Sequence, residues 1–381
     1  MLDKTVRNPW QEIVIVGGLM LLFATVIPQF LYAIGQGFRV GLLGRFMALG
    51  IAALGIDLIW GYTGMLSLGH GIFFALGGYA FAMFLLLQLP AGKLPDFFSL
   101  NGVTELPWFW QPFASLPFTL VATILIPAAI AAVVGYFIFR NRIRGVYFAI
   151  LTQAALIVFY NLFTSQQKWI NGTNGLKTDS ALFFGKVVSS IEVQWLFYLL
   201  SLAGLVGAYA ICRWLTNGRF GRLLMAIRDD EPRVRFSGYD PTSFKVFVLA
   251  VSAALAGVSG ALYTVQSGII TPNAMDVSFS IEMIIWVAVG GRGTLIGAVI
   301  GALLVNFAKS ILSEQFPTFW LFFQGALFLV VVTGLPDGIV GWFRQNGSKW
   351  QQLRGDRLLA TYPQVDLDEE LQSERNIGGK S

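Results

Sequence analysis

The feature that most limits this chain is how often it stays apolar for the length of a membrane crossing. Stretches at about 13–33, 44–60, 65–89, 115–139, 145–163, 195–215, 243–266, 279–291, 294–312 and 318–343 carry very little charge. Roughly 20 apolar residues in a helix span the hydrocarbon core, and only helices or closed barrels satisfy their backbone there. A barrel needs strands that alternate apolar with polar residues, and these runs do not alternate. The reading is therefore all-α: a polytopic integral membrane protein of about ten transmembrane helices, some short or broken. The 279–291 stretch is short for a full crossing, and glycine-rich sequence joins 44–60 to 65–89.

Composition agrees and removes several functions. Hydrophobic residues make up 55% of the chain, with a mean hydropathy of +0.66. Cys212 is the sole cysteine and His70 the sole histidine, so an intrachain disulfide, a cysteine metal site and a histidine-built zinc site are excluded. Most acid–base enzyme chemistry loses its usual residues with them. No G-x-x-x-x-G-K-[ST] loop is present to cradle nucleotide phosphates. "GGRGTLIG" has the glycines of a dinucleotide turn but neither the preceding strand nor a later ribose-binding acid, so close helix packing is the better reading.

Charge sets the orientation. Arg140, Arg142 and Arg144 share one short connection, and Arg213, Arg219, Arg222, Arg228, Arg233 and Arg235 lie in or beside another. With Lys4, Arg7 and the basic residues after the last span, they fall on one side if the spans alternate. The positive-inside rule makes that side cytoplasmic, with both termini inside. The net charge of +5 then reflects cytoplasmic loops facing anionic lipid, and nucleic acid is not an expected partner. The longer connections, about 90–114 and 164–194, lie outside. The run from Ile13 is too long for a signal-peptide core and reads as the first span. Residues 1–343 form the transmembrane domain, and 344–381 a polar cytoplasmic tail.

One cytoplasmic connection, about 216–242, is unusual. Its stretch "GRLLMAIRDDEPRVRFSGYD" (221–240) has eight charged positions of both signs in twenty residues. Leu223, Leu224 and Ile227 recur at helical spacing between Arg222 and Arg228, which predicts a short amphipathic helix. Glu231–Pro232 suits the start of a second helical turn and Gly238 its end. Asp240–Pro241 is an N-cap and first-turn signal for the next span. A loop serving only topology needs no acids, and a lipid-surface helix would disfavour Asp229, Asp230 and Glu231 in a row. The mixture points to docking on another protein.

"FGRLLMAIRDDE", the Gly-Tyr-Asp turn and "KVFVLAVSAALAGVSGALY" together resemble the coupling region and following span of ABC-importer permeases, specifically the branched-chain amino acid family. "GYTGMLSLGHGIFFALGGYAFA" (61–82) and "GGRGTLIGAVIGALL" (290–304) share the resemblance, which runs from about residue 45 to 340. "EPRVRFSGYD", where many amino acid permeases have small residues, is similar to the urea-transporting branch. So are "SIEMIIWVAVGGRGTL", "LLVNFAKS" and "FWLFFQGALFL". The resemblance implies a non-catalytic subunit of a bacterial inner-membrane importer that holds no cofactor itself. Cytoplasmic ATP-binding subunits would use ATP and magnesium, a homologous second permease subunit would complete the pathway, and an extracytoplasmic solute-binding protein would deliver the solute. It further implies that Gly221, Arg222, Ala226, Ile227, Arg228, Asp229, Asp230, Glu231 and Gly238 form the ATPase-coupling region.

The substrate-path candidates come from glycine-rich and polar breaks. Gly61, Thr63, Gly64, Ser67, Gly69 and His70 sit where two apolar stretches join, and such glycine density weakens a regular helix. That junction is either a helix break lining a path or a loop beside a closely packed helix. Asn171, Thr173 and Asn174, in the outer connection, are either an ordinary turn or part of an outer gate. Glu282 and Arg292 bracket a short apolar segment, and Asp57 is the main remaining intramembrane acid. One acid is thin support for an ion-coupled carrier, whereas a neutral solute could cross on hydroxyl, amide and backbone groups.

Overall fold

The computed structural model describes residues 18, 20–89, 93–316, 319–334 and 338–342. The beginning of the first apolar stretch, residues 90–92 and the 344–381 tail lie outside them. Twelve main helices are described: α1 (Leu22–Ala33), α2 (Phe38–Thr63), α3 (His70–Leu86), α4 (Leu116–Arg140), α5 (Val146–Ser165), α6 (Ile191–Thr216), α7 (Gly218–Asp229), α8 (Glu231–Phe236), α9 (Pro241–Ser267), α10 (Val277–Gly290), α11 (Leu295–Gln315) and α12 (Trp320–Gly334). Six of them, α2, α4, α5, α6, α9 and α11, are long and apolar enough to cross a membrane. Four two-residue strands, which the apolar pattern did not predict, complete the connections. β1 (Leu176–Lys177) pairs antiparallel with β4 (Ile269–Ile270), tying the loop after α5 to the end of α9. β2 (Leu182–Phe183) and β3 (Lys186–Val187) form a hairpin turned by Phe184 and Gly185, both at positive φ.

α9 is the hub, packing on α2, α3, α4 and α6. Its small residues allow this. A Cβ on Gly257 would strike the Thr123 carbonyl of α4, and one on Gly260 the Phe74 carbonyl of α3. Pro127 lies four residues after Thr123 inside α4, and proline has no N–H to return to that carbonyl. Lipid supplies no hydrophobic drive for helix association, so close packing through small residues takes its place.

Two of the shorter helices, α3 and α10, have N-termini that meet inside the bundle. Gly64, at φ +74, ends α2, and residues 64–69 then run without helix before α3 starts at His70. His70 is level with Gly55, eight residues before the end of α2, or about 12 Å at a 1.5 Å rise. α3 therefore begins deep in the bundle, five residues later than the 65–89 stretch suggested. α10 starts beside it: the Gly71 amide donates to Ser280 Oγ at 3.2 Å. From that meeting point α3 runs toward the loop-bearing end and α10 toward the arginine-rich end.

Candidate functional site

The 216–242 connection folds as read from its sequence, into α7 and α8. Gly221, Leu224 and Ile227 are buried, Leu223 is half-buried, and Arg222, Ala226 and Asp229 face out. Asp230 caps α8, its Oδ1 accepting from the Arg233 amide at 3.1 Å, with Pro232 in the first turn and Gly238 beyond its end at φ +85. Asp240 caps α9 by accepting from the Thr242 amide at 3.1 Å. Phe236, 94% exposed, and Tyr239 stand on the outer surface of this segment.

Glu231 turns inward. It is buried, accepts from Lys245 Nζ at 2.5 Å and Arg235 Nη2 at 2.9 Å, and lies 3.3 Å from Arg144 Nε. Burial raises its carboxyl pKa, but the hydrogen bonds from Lys245 and Arg235 outweigh this and hold it below the usual carboxylate value. One acid thus ties α8, the first turns of α9 and the α4–α5 connection together. Within this chain Glu231 acts as an internal tether, whereas Arg222, Ala226, Asp229, Arg233 and Phe236 of the same segment are exposed.

The three motifs singled out in the sequence converge at the end of α2. Arg228 of α7 donates from Nη1 to the Gly61 carbonyl at 2.8 Å. Arg292, in the α10–α11 turn, donates from Nε to the Trp60 carbonyl at 3.2 Å and lies 5.2 Å from the Trp60 ring centroid. Two guanidinium groups therefore satisfy and neutralise the carbonyl-rich C-terminus of α2. Asp57, one turn back, accepts from the Gly293 amide through Oδ1 at 2.7 Å, fixing the same turn. Gly61 permits the contact, since a Cβ there would lie 2.6 Å from the Gly293 nitrogen. Thr63 returns its hydroxyl to the Ile59 carbonyl, 2.5 Å away.

Deeper in, Ser67, Gly69 and His70 are buried and their polar atoms are paired. Ser252 Oγ donates to the Gly55 carbonyl at 2.6 Å, so it accepts from His70 Nε2–H at 2.8 Å. His70 Nδ1 then accepts from the Ser67 hydroxyl at 2.9 Å. The bond to Ser252 assigns a proton to Nε2 and makes the imidazole a link between the 64–69 segment and two long helices. Thr152 of α5 adds its Oγ1 to the Leu68 amide at 3.1 Å. The amides of Gly64, Leu68 and Gly69 in the broken segment thus find protein acceptors, as membrane depth favours.

The remaining candidates lie elsewhere. Asn171 sits at φ +61 and bonds the Gly175 carbonyl at 2.7 Å, closing its own turn, with Thr173 and Asn174 exposed beside it. No hydrogen bond connects these three to the 61–70 junction. Glu282 is buried on α10 and accepts two hydrogen bonds from Lys309 of α11, at 2.9 and 2.7 Å. Among the described residues no group of three His, Cys, Asp or Glu side chains could hold a metal. Sequence reasoning missed Ser252, Ser280, Lys245, Arg144 and Lys309 as partners. Each is a polar residue within or beside an apolar run, a signal that marks a buried contact without saying what it meets.

Residues 38–332 match the family described as "Branched-chain amino acid transport system / permease component". The chain is 25% identical to the high-affinity branched-chain amino acid transport system permease protein LivM of Salmonella typhimurium, over 81% of this chain and 71% of that protein. It is 24% identical to LivM of Escherichia coli K12, over 76% and 67% of the two chains. It is also 24% identical to LivH of the same strain, a permease protein of the same kind of system, over 82% and 97%. No solved structure matches.

Proposed function

Because the chain belongs to the permease component family of branched-chain amino acid transport systems, we propose that it is a membrane subunit of a bacterial ATP-driven importer, forming half of a pathway for urea or a similar small polar solute. The observation that carries the coupling part is Arg228 on the Gly61 carbonyl. It joins an outward-facing amphipathic helix directly to a membrane-length helix and to the broken segment beyond it. A cytoplasmic ATP-binding subunit gripping α7 and α8 from outside, at Arg222, Ala226, Asp229 and Phe236, would push on α2 through that bond.

Residues 1–343 are then the transmembrane domain, in the inner membrane with both termini cytoplasmic, and 344–381 a cytoplasmic tail. A second, homologous permease subunit completes the pathway, and a solute-binding protein delivers to the 90–114 and 164–194 side. The chain needs no cofactor; ATP and magnesium act in the partners. Movement at α7 changes the level of the Ser67–His70–Ser252 link and the meeting point of α3 and α10, opening the pathway to alternate sides.

Urea is preferred on the similarity of "EPRVRFSGYD" and "SIEMIIWVAVGGRGTL" to the urea-transporting branch, and because the groups around residues 67–71 are hydroxyl, amide and imidazole hydrogen-bonding partners. A branched-chain amino acid is the second reading, favoured by the names of the relatives. Radiolabelled urea uptake into proteoliposomes holding the whole complex, with leucine as competitor, separates them. Uptake that ignores leucine supports urea; uptake that leucine blocks moves the subunit to amino acids. Uptake by this subunit alone without ATP refutes both.

A further inference from the structure

The end of α2 opposite Arg228 borders a cavity of about 470 Å³, lined by residues of α1, α2, α6, the β1–α6 connection and the end of α9. That volume is in the range of small-molecule sites. Its wall carries both signs of charge. Arg45 of α2 donates through Nε to the Gln266 carbonyl at 2.9 Å, and its two terminal nitrogens have no hydrogen bond among the described residues. Asp179 is exposed and is held beside the end of α9 by its own amide on the Gly268 carbonyl at 3.2 Å.

A third lining residue is incompletely satisfied. Gln266 is 3% exposed and donates through Nε2 to Ser201 Oγ at 2.5 Å and to the Phe197 carbonyl at 3.2 Å. Its Oε1 has no hydrogen-bond partner and rests against Gly44, where a Cβ would collide with it. That oxygen faces α2 and is closed off from the cavity, so Gln266 shapes the wall through its stem. Tyr32 and Trp195, with ring centroids 6.4 Å apart, give the cavity an aromatic side.

We propose that this cavity is a capture site for a small dipolar solute, one that presents an oxygen acceptor to Arg45 and N–H groups to Asp179, with its body against Trp195 and Tyr32. Urea and the head of a free amino acid share that chemistry. The proposal rests on the reading of the chain as an importer permease, and it places solute on the same helix whose other end Arg228 holds. Arg45 and Asp179 face one cavity without bonding each other; Asp179 Oδ1 accepts from the Ser180 amide at 2.9 Å, which leaves its Oδ2 and the arginine's terminal nitrogens for a guest. A purely apolar molecule would leave them unpaired.

The test reads occupancy directly. Ser189 lines the cavity and is exposed, while Cys212, the only native cysteine, is buried. Ser189→Cys in the full complex is labelled with a membrane-impermeant thiol reagent, and labelling of this subunit is followed with urea or leucine present. The expected result is at least a fivefold slowing by one of the two solutes, abolished by Arg45→Gln or Asp179→Asn and kept by Arg45→Lys. Slowing by urea alone identifies urea as the guest, and slowing by leucine alone an amino acid. Unchanged labelling with both solutes overturns the site, as does protection that survives Arg45→Gln. Thermal unfolding of each variant shows that it is folded before labelling is compared. ATP-dependent uptake is measured in parallel: uptake without protection sinks the site and leaves the importer reading standing, and protection without ATP dependence does the reverse.

Discussion

Arg228 and Gly61 are 167 residues apart, yet the arginine's Nη1 bonds the glycine's carbonyl at 2.8 Å, where α2 comes to an end. The bond connects the most highly charged connection in the chain to one of its most buried helices. It turns a surface feature into part of the membrane core. A guanidinium suits the position because it is planar, always charged and able to cap exposed carbonyls, whereas an ammonium is a strongly hydrated point charge.

The turn that shares this junction depends on glycine at residue 61. A Cβ there would lie 2.6 Å from the Gly293 nitrogen and 2.7 Å from its Cα. Gly61→Ala is expected to push the α10–α11 turn away, costing stability and lowering uptake at least tenfold. Gly293→Ala meets nothing closer than 3.7 Å but must adopt φ +75, a strain of about 1–2 kcal/mol. Melting temperature and uptake, measured together, should rank Gly61→Ala as the more damaging.

Glu231 gives a stability prediction with a pH sign. Removing its charge with Glu231→Gln leaves Lys245 buried without its partner, a loss of about 3–5 kcal/mol for a buried pair. Its folded pKa lies below the ordinary value of about 4.5, so its contribution is complete above that value. It disappears as pH falls through the lower folded value. Thermal unfolding of the purified complex should therefore weaken toward acid pH, and Glu231→Gln should flatten that part of the profile. Glu231→Leu combined with Lys245→Met should recover much of the lost stability.

What the sequence revealed here was local. Asp240–Pro241 and Glu231–Pro232 announce helix starts through caps and fixed φ, which depend on adjacent residues alone, and both starts are where they were expected. The glycines from 61 to 71 signalled a break, but not that α3 starts about 12 Å inside the bundle, because depth depends on how three other helices pack. The inward turn of Glu231 was equally illegible. Three acids in a row read as part of a docking surface, and the cations that surround the third come from Lys245, Arg235 and Arg144. Arg222 and Arg228 flank the apolar positions alike in sequence, and only the end of α2 distinguishes them.

His70 offers a spectroscopic prediction. As the only histidine, it should give one pair of ring nitrogen signals in a protein labelled with ¹⁵N-histidine. Hydrogen bonding through Ser252 requires the protonated-type signal at Nε2 and the acceptor-type signal at Nδ1. Ser252→Ala removes the acceptor for Nε2–H and the donor for the Gly55 carbonyl, and should cost about 1–3 kcal/mol. A protonated Nδ1 would contradict the assigned link.

Outward residues should behave differently from inward ones. Phe236 is 94% exposed and makes no part of the Glu231 cluster. Phe236→Ala should leave the melting temperature of this subunit within about 0.5 kcal/mol of unchanged stability while weakening its association with the ATP-binding subunit. Co-purification of the two subunits, compared with the melting temperature of the free permease, checks both halves of that expectation.

The central claim is that force passes from α7 to α2 through Arg228. The most direct measurement is ATP hydrolysis and solute uptake on the same proteoliposomes, containing the whole complex with Arg228→Ala or the native residue. The account predicts that hydrolysis continues near the native rate while uptake falls at least tenfold, with the complex still assembled. Uptake and hydrolysis that both remain at native levels would contradict it, because the bond to Gly61 would then carry nothing.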